Sequence, residues 1–549
     1  MRRGGGVCGE SRASGLWGTG RGGRTRGLLA LALIALATPF SAAAADGHGS
    51  PPSYLAPSLQ RAAAQTPDSS VEVIVQGPSA SSARNALDEY GSVGSRLGVV
   101  DAAAGTIEAS DLTELADRPG LVITPDNPVV LDTRKTSDTG LGSGELWPRA
   151  VGVDQYWGKH AKPIGPAPTI AFVDSGIEPG RTDFGNRVLA SVDMTDLPDN
   201  SPSDGFGHGT LVSGLAAGSA PHYTGAAPTA GIVSLDVMDD QGKARTSDVI
   251  AAAQWILAHR DEYDIRVANF SLHSATESSF RWDPLDKAVE KLWFSGVVVV
   301  ASAGNQGQSE NKPVRMGFAP ANDPFVVTVG ALDLHNSTNT EQTSVAPWSA
   351  WGYTYDGFAK PEISAPGRLI TGPVPAGSTL ATDQKNQVVQ TADGTYIKLS
   401  GTSLSAPIAS GVADDLLALR PDLTPDQVKG ALMLGALPLR KVRTAAAGVG
   451  EVNLPAAAAI TAPPNPNRAL DHFLVPDPAG DGVIFDDAAW HDAAKACSTW
   501  NAVSWSDGWN GALWSVSAWA TVSWSDVSWS DVSWSDVSWS DVSWEDLVN

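Results

Sequence analysis

The chain has 549 residues, 42% of them hydrophobic, so it can bury a sizeable core and is too long for one ordinary domain. Its formal net charge is −23 and no basic block lies outside the extreme N-terminus, which argues against a nucleic-acid partner and for a soluble, self-repelling surface. Two cysteines, Cys8 and Cys497, stand near opposite ends and make neither a disulfide framework nor a zinc site.

Residues 1–45 read as an export signal. Arg21, Arg24 and Arg26 flank an apolar run at 28–40, LLALALIALATPF, and small residues suited to cleavage follow near Ala45. That run is too short to span a bilayer, which takes about 20 residues. Residues 46–57 are polar and Pro-rich and are expected to be loose. From Val71 the pattern tightens: VEVIV predicts a strand, and 81–90 predicts a helix with Ala83, Ala86, Leu87 and Tyr90 on one face. LGVVDA and GTIEA predict two strands, DLTELADRPG a helix with an Asp start and a Gly stop, and LVITPD a last strand. The order β-α-β-β-α-β fits a small split βαβ, α+β domain with its core at about 71–132. Residues 133–144, TRKTSDTGLGSG, have the composition of an exposed linker.

Residues 146–459 alternate buried-strand runs with helical patterns. TIAFVDSG, GIVSLDVM, IRVANFSL, GVVVVASAGN and FVVTVGAL predict strands, and 208–217, 246–259, 284–295 and 403–419 predict helices. Strands separated by helices of this length imply an α/β domain, a parallel sheet covered on both faces in three layers. Residues 460–499 carry PPNPN and PDP and read as a linker. The last fifty residues hold ten of the nineteen tryptophans, half of those ten in a VSWSD repeat, so 500–549 form a segment apart.

Three short motifs stand at turns of the α/β block. Asp174 ends the strand text IAFVDSGIEP, His208 opens a helix in GFGHGTLVSG, and Ser403 lies just ahead of a helix in LSGTSLSAP. In open parallel sheets, groups at strand ends and helix starts gather at one edge, where ligands bind. An Asp, a His and a Ser so placed are the three parts of acyl-transfer chemistry.

On these motifs the chain resembles the subtilisin-like (subtilase) serine endopeptidases: VDSG, GHGT and GTSxxAP occur in that family's order, and VVVVASAGNQG puts Asn305 where the family has its oxyanion amide. The resemblance covers residues 146–459 and implies that Ser403 is the nucleophile, His208 the base, Asp174 the group that orients it, and Asn305 with the Ser403 backbone N–H the oxyanion hole. It also implies that residues 46–140 are an inhibitory propeptide, cut within 133–144, and that no cofactor is required for catalysis. Protein or peptide substrates and the chain's own propeptide are the implied partners, and a secreted or cell-surface location the implied setting. Ser400 is expected to line the cleft, and Ser405 to point away from His208.

Two positions depart from the family text. Ser405 replaces an alanine and needs a hydrogen-bond partner. His273, in ANFSLHS, replaces a glycine on the edge strand that pairs with substrate, where it would narrow the primary pocket or add a polar contact. The acidic loop 193–204 supplies oxygen ligands but no twelve-residue calcium pattern, so it reads as a solvated turn and a structural calcium ion stays open. Read as S-D-V-S-W, the tail resembles the pentapeptide-repeat pattern, which coils as a β-helix. An unstructured acidic-aromatic tail that binds a cell-envelope component or another copy is the alternative, and in either form removal of everything after Pro478 is expected to spare peptide cleavage. The competing function is an inactive subtilase scaffold used for surface binding through this tail.

Overall fold

The computed structural model describes residues 53–131, 146–157, 164–442, 445–480 and 482–496. The export signal, the linker with its expected cut, Cys8, Cys497 and the Trp-rich tail lie outside the described residues.

The central sheet has eight strands. From one edge the order runs Ser344–Val345, Val327–Asp333, Val298–Ser302, Ile265–Phe270, Thr169–Asp174, Gly231–Asp236 and Val188–Asp193, and Ile363–Pro366 also pairs with Val327–Asp333. All pairings are parallel except that of Ser344–Val345. Every residue of Thr169–Asp174, Val298–Ser302 and Val327–Asp333 is buried, so both faces of the sheet are covered. This is why these strands read as unbroken apolar runs instead of alternating ones. Helices Thr402–Leu419 and His208–Ala217 pack on each other, as do Thr246–His259 and Pro284–Phe294. Thr402–Leu419 is buried along almost its whole length, which fits its uniformly small and apolar sequence.

The N-terminal module, residues 53–131, builds its own sheet in the order Tyr54–Leu55, Val122–Pro125, Ser70–Gln76, Ala102–Glu108, Gly91–Leu97. Its separate core includes Val73, Val75, Leu87, Ile107, Leu112 and Ile123. Two details differ from the sequence reading. The chain is ordered before Val71, with strand Tyr54–Leu55 and helix Pro57–Gln65, because Leu59 is buried in that core. The third strand is Gly91–Leu97, and GVV is a turn, not part of a strand.

The module is tied to the α/β body by specific bonds. Helix Thr246–His259 has no side-chain cap of its own. Asp126 supplies one from the N-terminal module: its carboxylate accepts from Ser247 N at 2.9 Å and Ser247 Oγ at 2.6 Å, satisfying a donor at the positive end of the helix. Thr246 N and Oγ1 both donate to Asn127 O at 3.0 Å, Val99 N donates to Gln254 at 3.1 Å, and Tyr54 stacks on Trp282 at 4.7 Å. The chain then continues as strand Pro128–Leu131, held antiparallel between Ala244–Arg245 and Leu272–Ser274.

The stretch expected as a linker after residue 459 is folded. Leu474–Pro476 and Val483–Phe485 form a hairpin and Asp487–Ala496 a helix. Trp490 is fully buried, with its ring 5.5 Å from those of Phe280 and Phe358, and Phe485 sits 5.2 Å from Phe325. Lys287 pairs with Asp487 at 3.2 Å, and Lys291 pairs with Asp477. The Pro-rich text fixes extended chain here without making it loose, because the aromatic residues that follow have a hydrophobic seat. A cavity of about 380 Å³ separates this hairpin, helix Pro284–Phe294 and the N-terminal module, with Val99, Lys291 and Ile484 among its walls.

Candidate active site

Asp174 ends its strand and is 1% exposed; its Oδ1 accepts from Ser175 N at 2.8 Å and meets His208 Nδ1 at 2.7 Å. With Nδ1–H donated to the carboxylate, the ring is held in the tautomer that leaves Nε2 as the base. His208 Nε2 is buried and has no hydrogen-bond partner among the described residues.

The turn before His208 is shaped by glycine. Gly207 has φ 101°, in the left-handed region, and a Cβ at Gly209 would lie 2.0 Å from the Gly176 carbonyl oxygen. The two motifs VDSG and GHGT can therefore touch backbone to backbone. Asp204 locks them: it accepts from Gly207 N at 2.6 Å, Thr210 N at 2.7 Å and Ser175 Oγ at 2.9 Å, while Ser175 Oγ accepts from Gly209 N at 2.9 Å. Asp204 is 3% exposed, and burial pushes its carboxyl up to about 6 against those hydrogen bonds. Asp236 beside it is pushed up to about 8, first by burial and also by Asp204 and Asp193. The sequence reading left Asp204 in a solvated acidic turn. Its signal was the position four residues before His208.

Ser403 is fully buried in the first turn of helix Thr402–Leu419. Pro407 has no N–H, so the Ser403 carbonyl lacks the helical donor it would otherwise have four residues on. Ser271 Oγ fills that place at 2.8 Å, and Asn269 Nδ2 donates to Ser271 Oγ at 2.9 Å. The start of the helix is thereby bolted to the chain that leads into edge strand Leu272–Ser274. Asn305 Oδ1 accepts from Thr402 N at 3.1 Å and Thr402 Oγ1 at 3.3 Å, which fixes the amide with its oxygen towards the start of the helix and its NH₂ as the donor end.

The neighbouring serines have other employment. Ser405 is fully buried with Oγ 3.4 Å from the Pro366 carbonyl, the partner its hydroxyl needed. Ser400 was expected to line the cleft, but it is 4% exposed and its Oγ accepts from Leu369 N at 2.9 Å, so it braces a turn instead. His273 is half-buried on the edge strand, with its ring 4.9 Å from that of Phe318. In the acidic loop, Asp193 Oδ1 accepts from Thr195 N at 3.1 Å and Asn200 Nδ2 at 3.2 Å. Among the described residues no group of three or more His, Cys, Asp or Glu is arranged to hold a metal ion, and no helix is long and apolar enough to cross a membrane.

The chain is similar to the serine protease AprX of Bacillus subtilis, 33% identical over 294 residues that make up 52% of this chain and 64% of that protein. It is similar to subtilisin E of the same species, 28% identical over 347 residues, 63% of this chain and 78% of that one. Among solved structures it resembles fervidolysin from Fervidobacterium pennivorans, with TM-score 0.57 and 23% identity over 73% of this chain and 62% of that one, a likeness of fold. The chain thus spans under two thirds of the length of AprX and of fervidolysin. Residues 165–462, which hold Asp174, His208, Asn305 and Ser403, match the subtilase family model across more than half of the sequence, and the chain belongs to the subtilase family.

Proposed function

We propose that the chain is a secreted serine endopeptidase that hydrolyses peptide bonds in protein or peptide substrates through an acyl-enzyme intermediate. The observation that carries this reading is the 2.7 Å hydrogen bond between His208 and Asp174, made on a helix that packs against Thr402–Leu419, which carries Ser403 in its first turn. In this reading Ser403 attacks the carbonyl carbon, and His208 Nε2 takes its proton and later gives it to the leaving amine. Asp174 holds the ring and stabilises the imidazolium. Asn305 and the Ser403 backbone N–H, at a helix N-terminus, receive the developing oxyanion. A fluorophosphonate probe labels only an activated serine, so an adduct on the peptide containing Ser403 is the expected result. An unlabelled protein would favour the inactive scaffold that displays its tail.

Asn305→Ala is expected to fold and to lose about 10²–10³ in kcat with little change in KM, since the amide acts on charge that develops only in the transition state. Steady-state kinetics on a short peptide check it; an unchanged kcat would put the oxyanion donor elsewhere.

In the same reading the N-terminal module is an inhibitory propeptide that the enzyme removes itself. The support is its strand Pro128–Leu131, which lies on the edge strand at the site as a bound peptide would. Residues 53–131 added in trans are expected to inhibit the enzyme. Asp126→Ala should weaken that inhibition by about tenfold, the usual cost of a lost helix cap. Equal inhibition constants for the two forms would remove the cap from the account.

A further inference from the structure

We propose that the cleft takes a small residue, glycine, alanine or serine, immediately before the bond it cuts, because Phe318 and His273 fill the space a larger side chain needs; the inference rests on the peptidase reading above. The place of that residue follows from the strand already seated at the site. Leu131 stands opposite Leu272, and Val130 opposite His273, so a chain bound to this edge runs antiparallel towards Ser271. Ser271 is the residue whose hydroxyl donates to the Ser403 carbonyl at 2.8 Å. The next residue of any peptide held in this register comes level with Ser271, and its carbonyl is the one brought to Ser403.

Residues two apart on a strand share a face, and so do residues directly opposite each other. The residue level with Ser271 therefore shares a face with His273, as its diagonal neighbour at roughly 7–8 Å. A glycine at 273 would leave that face empty. Here an imidazole stands on it, and the Phe318 ring packs against the imidazole with centroids 4.9 Å apart. Both residues are only half-buried, so the pair of rings is a surface that a bound side chain meets.

The two rings are held where they are. His273 Nδ1 donates to the Ser274 carbonyl at 2.7 Å. Phe318 belongs to a segment clipped along the edge strand and the loop after it: the Ala319 carbonyl accepts from Ser274 N at 2.8 Å, and the Gly317 carbonyl from Ser278 N at 2.7 Å. The same segment is packed against other side chains, since a Cβ at Gly317 would lie 2.7 Å from the Tyr355 ring and 3.0 Å from Glu277 Cβ. Tyr355 Oη donates to Glu277 at 2.7 Å, which fixes that packing in turn. A long or aromatic side chain level with Ser271 would have to displace one of the rings, and crowding of this kind is disfavoured. A hydrogen, a methyl or a hydroxymethyl group displaces neither. Two residues earlier the restriction is absent: Val130, opposite His273, is 42% exposed.

The test uses the purified mature enzyme, with active sites counted by a fluorophosphonate, and peptides Val-Val-Leu-X-p-nitroanilide in which X is Gly, Ala, Ser, Leu or Phe. The kcat/KM for Ala is expected to exceed those for Leu and Phe by about tenfold or more, the discrimination that one or two methylenes bring in a fitted pocket. In Phe318→Ala the Phe to Ala ratio should rise by about tenfold, and in the double variant with His273→Gly it should rise further. Each ratio is taken within one enzyme, so it does not depend on how much of a variant folds. A wild-type profile led by Leu or Phe overturns the proposal without any variant, and so does a Phe to Ala ratio that both variants leave unchanged. Both outcomes keep the peptidase reading. An enzyme that takes up no fluorophosphonate and cuts none of the peptides ends that reading, and this inference with it.

Discussion

Ser403→Ala is expected to lower kcat by about 10⁴–10⁶-fold, while Ser405→Ala keeps most of the activity. The two hydroxyls are two residues apart in one helix and both are fully buried, so burial does not separate them. Their surroundings do. Ser405 Oγ faces the Pro366 carbonyl, and a Cβ on Gly367 would lie 2.2 Å from it, so that hydroxyl is packed against a turn of backbone. Ser403 opens the helix, with Asn305 bonded to the residue before it and Ser271 to its own carbonyl. Active-site titration and peptide kinetics on both variants check the assignment. The Ser403→Ala protein should also keep the mass of the uncut precursor. A dead 405 variant beside an active 403 variant would reverse the reading of the turn.

Contrary to the expectation from the sequence, truncation after Pro478 is expected to leave little soluble enzyme, because residues 483–496 are part of the folded body, whereas truncation after Ala496 spares both folding and peptide cleavage. The first cut removes Phe485 and Trp490, whose rings contact Phe280, Phe325 and Phe358. A buried Trp or Phe cut back to Ala costs about 3–5 kcal/mol, a large fraction of the 5–15 kcal/mol that holds a typical protein folded. Trp490→Ala alone should therefore lower Tm by on the order of 10 °C. Thermal melts of the point variant and expression of the two truncations check this. Normal activity and melting after loss of residues 479–549 would mean that the aromatic cluster closes without its C-terminal members.

The sequence announces the α/β block through long, strongly periodic text. The helices expected at 208–217 and 246–259 are found at those bounds, and TIAFVDSG and GVVVVASAGN are central strands. The candidate site residues stood out for a different reason: Asp174, His208 and Ser403 are each crowded by glycine and small residues, the trace left when two backbones must approach closely. Asp204 was not legible as part of the site, because a buried acid and a solvated one look alike in a loop, and only the third dimension shows which amides it faces. The C-terminal hairpin and helix were missed because Phe473, Phe485 and Trp490 follow no helix or strand period. Their partners lie far away in sequence, at Phe280, Phe325 and Phe358, so no local pattern could show that they are core. The start of the N-terminal module was missed for a like reason: one buried Leu59 anchors a helix that is otherwise polar and alanine-rich.

The seating of Trp490 also sets an order in time. A ribosome delivers the chain from its N-terminus, at about 5–20 residues per second, and segments fold as they emerge. The N-terminal module, which bonds to helix Thr246–His259, is therefore waiting before that helix is made. Asp174, His208 and Ser403 have all been translated while Phe280 and Phe358 still lack the ring that closes over them. A nascent chain thus holds Asp174, His208 and Ser403 in an unfinished body, and the activity proposed above is tied to residues made after all three.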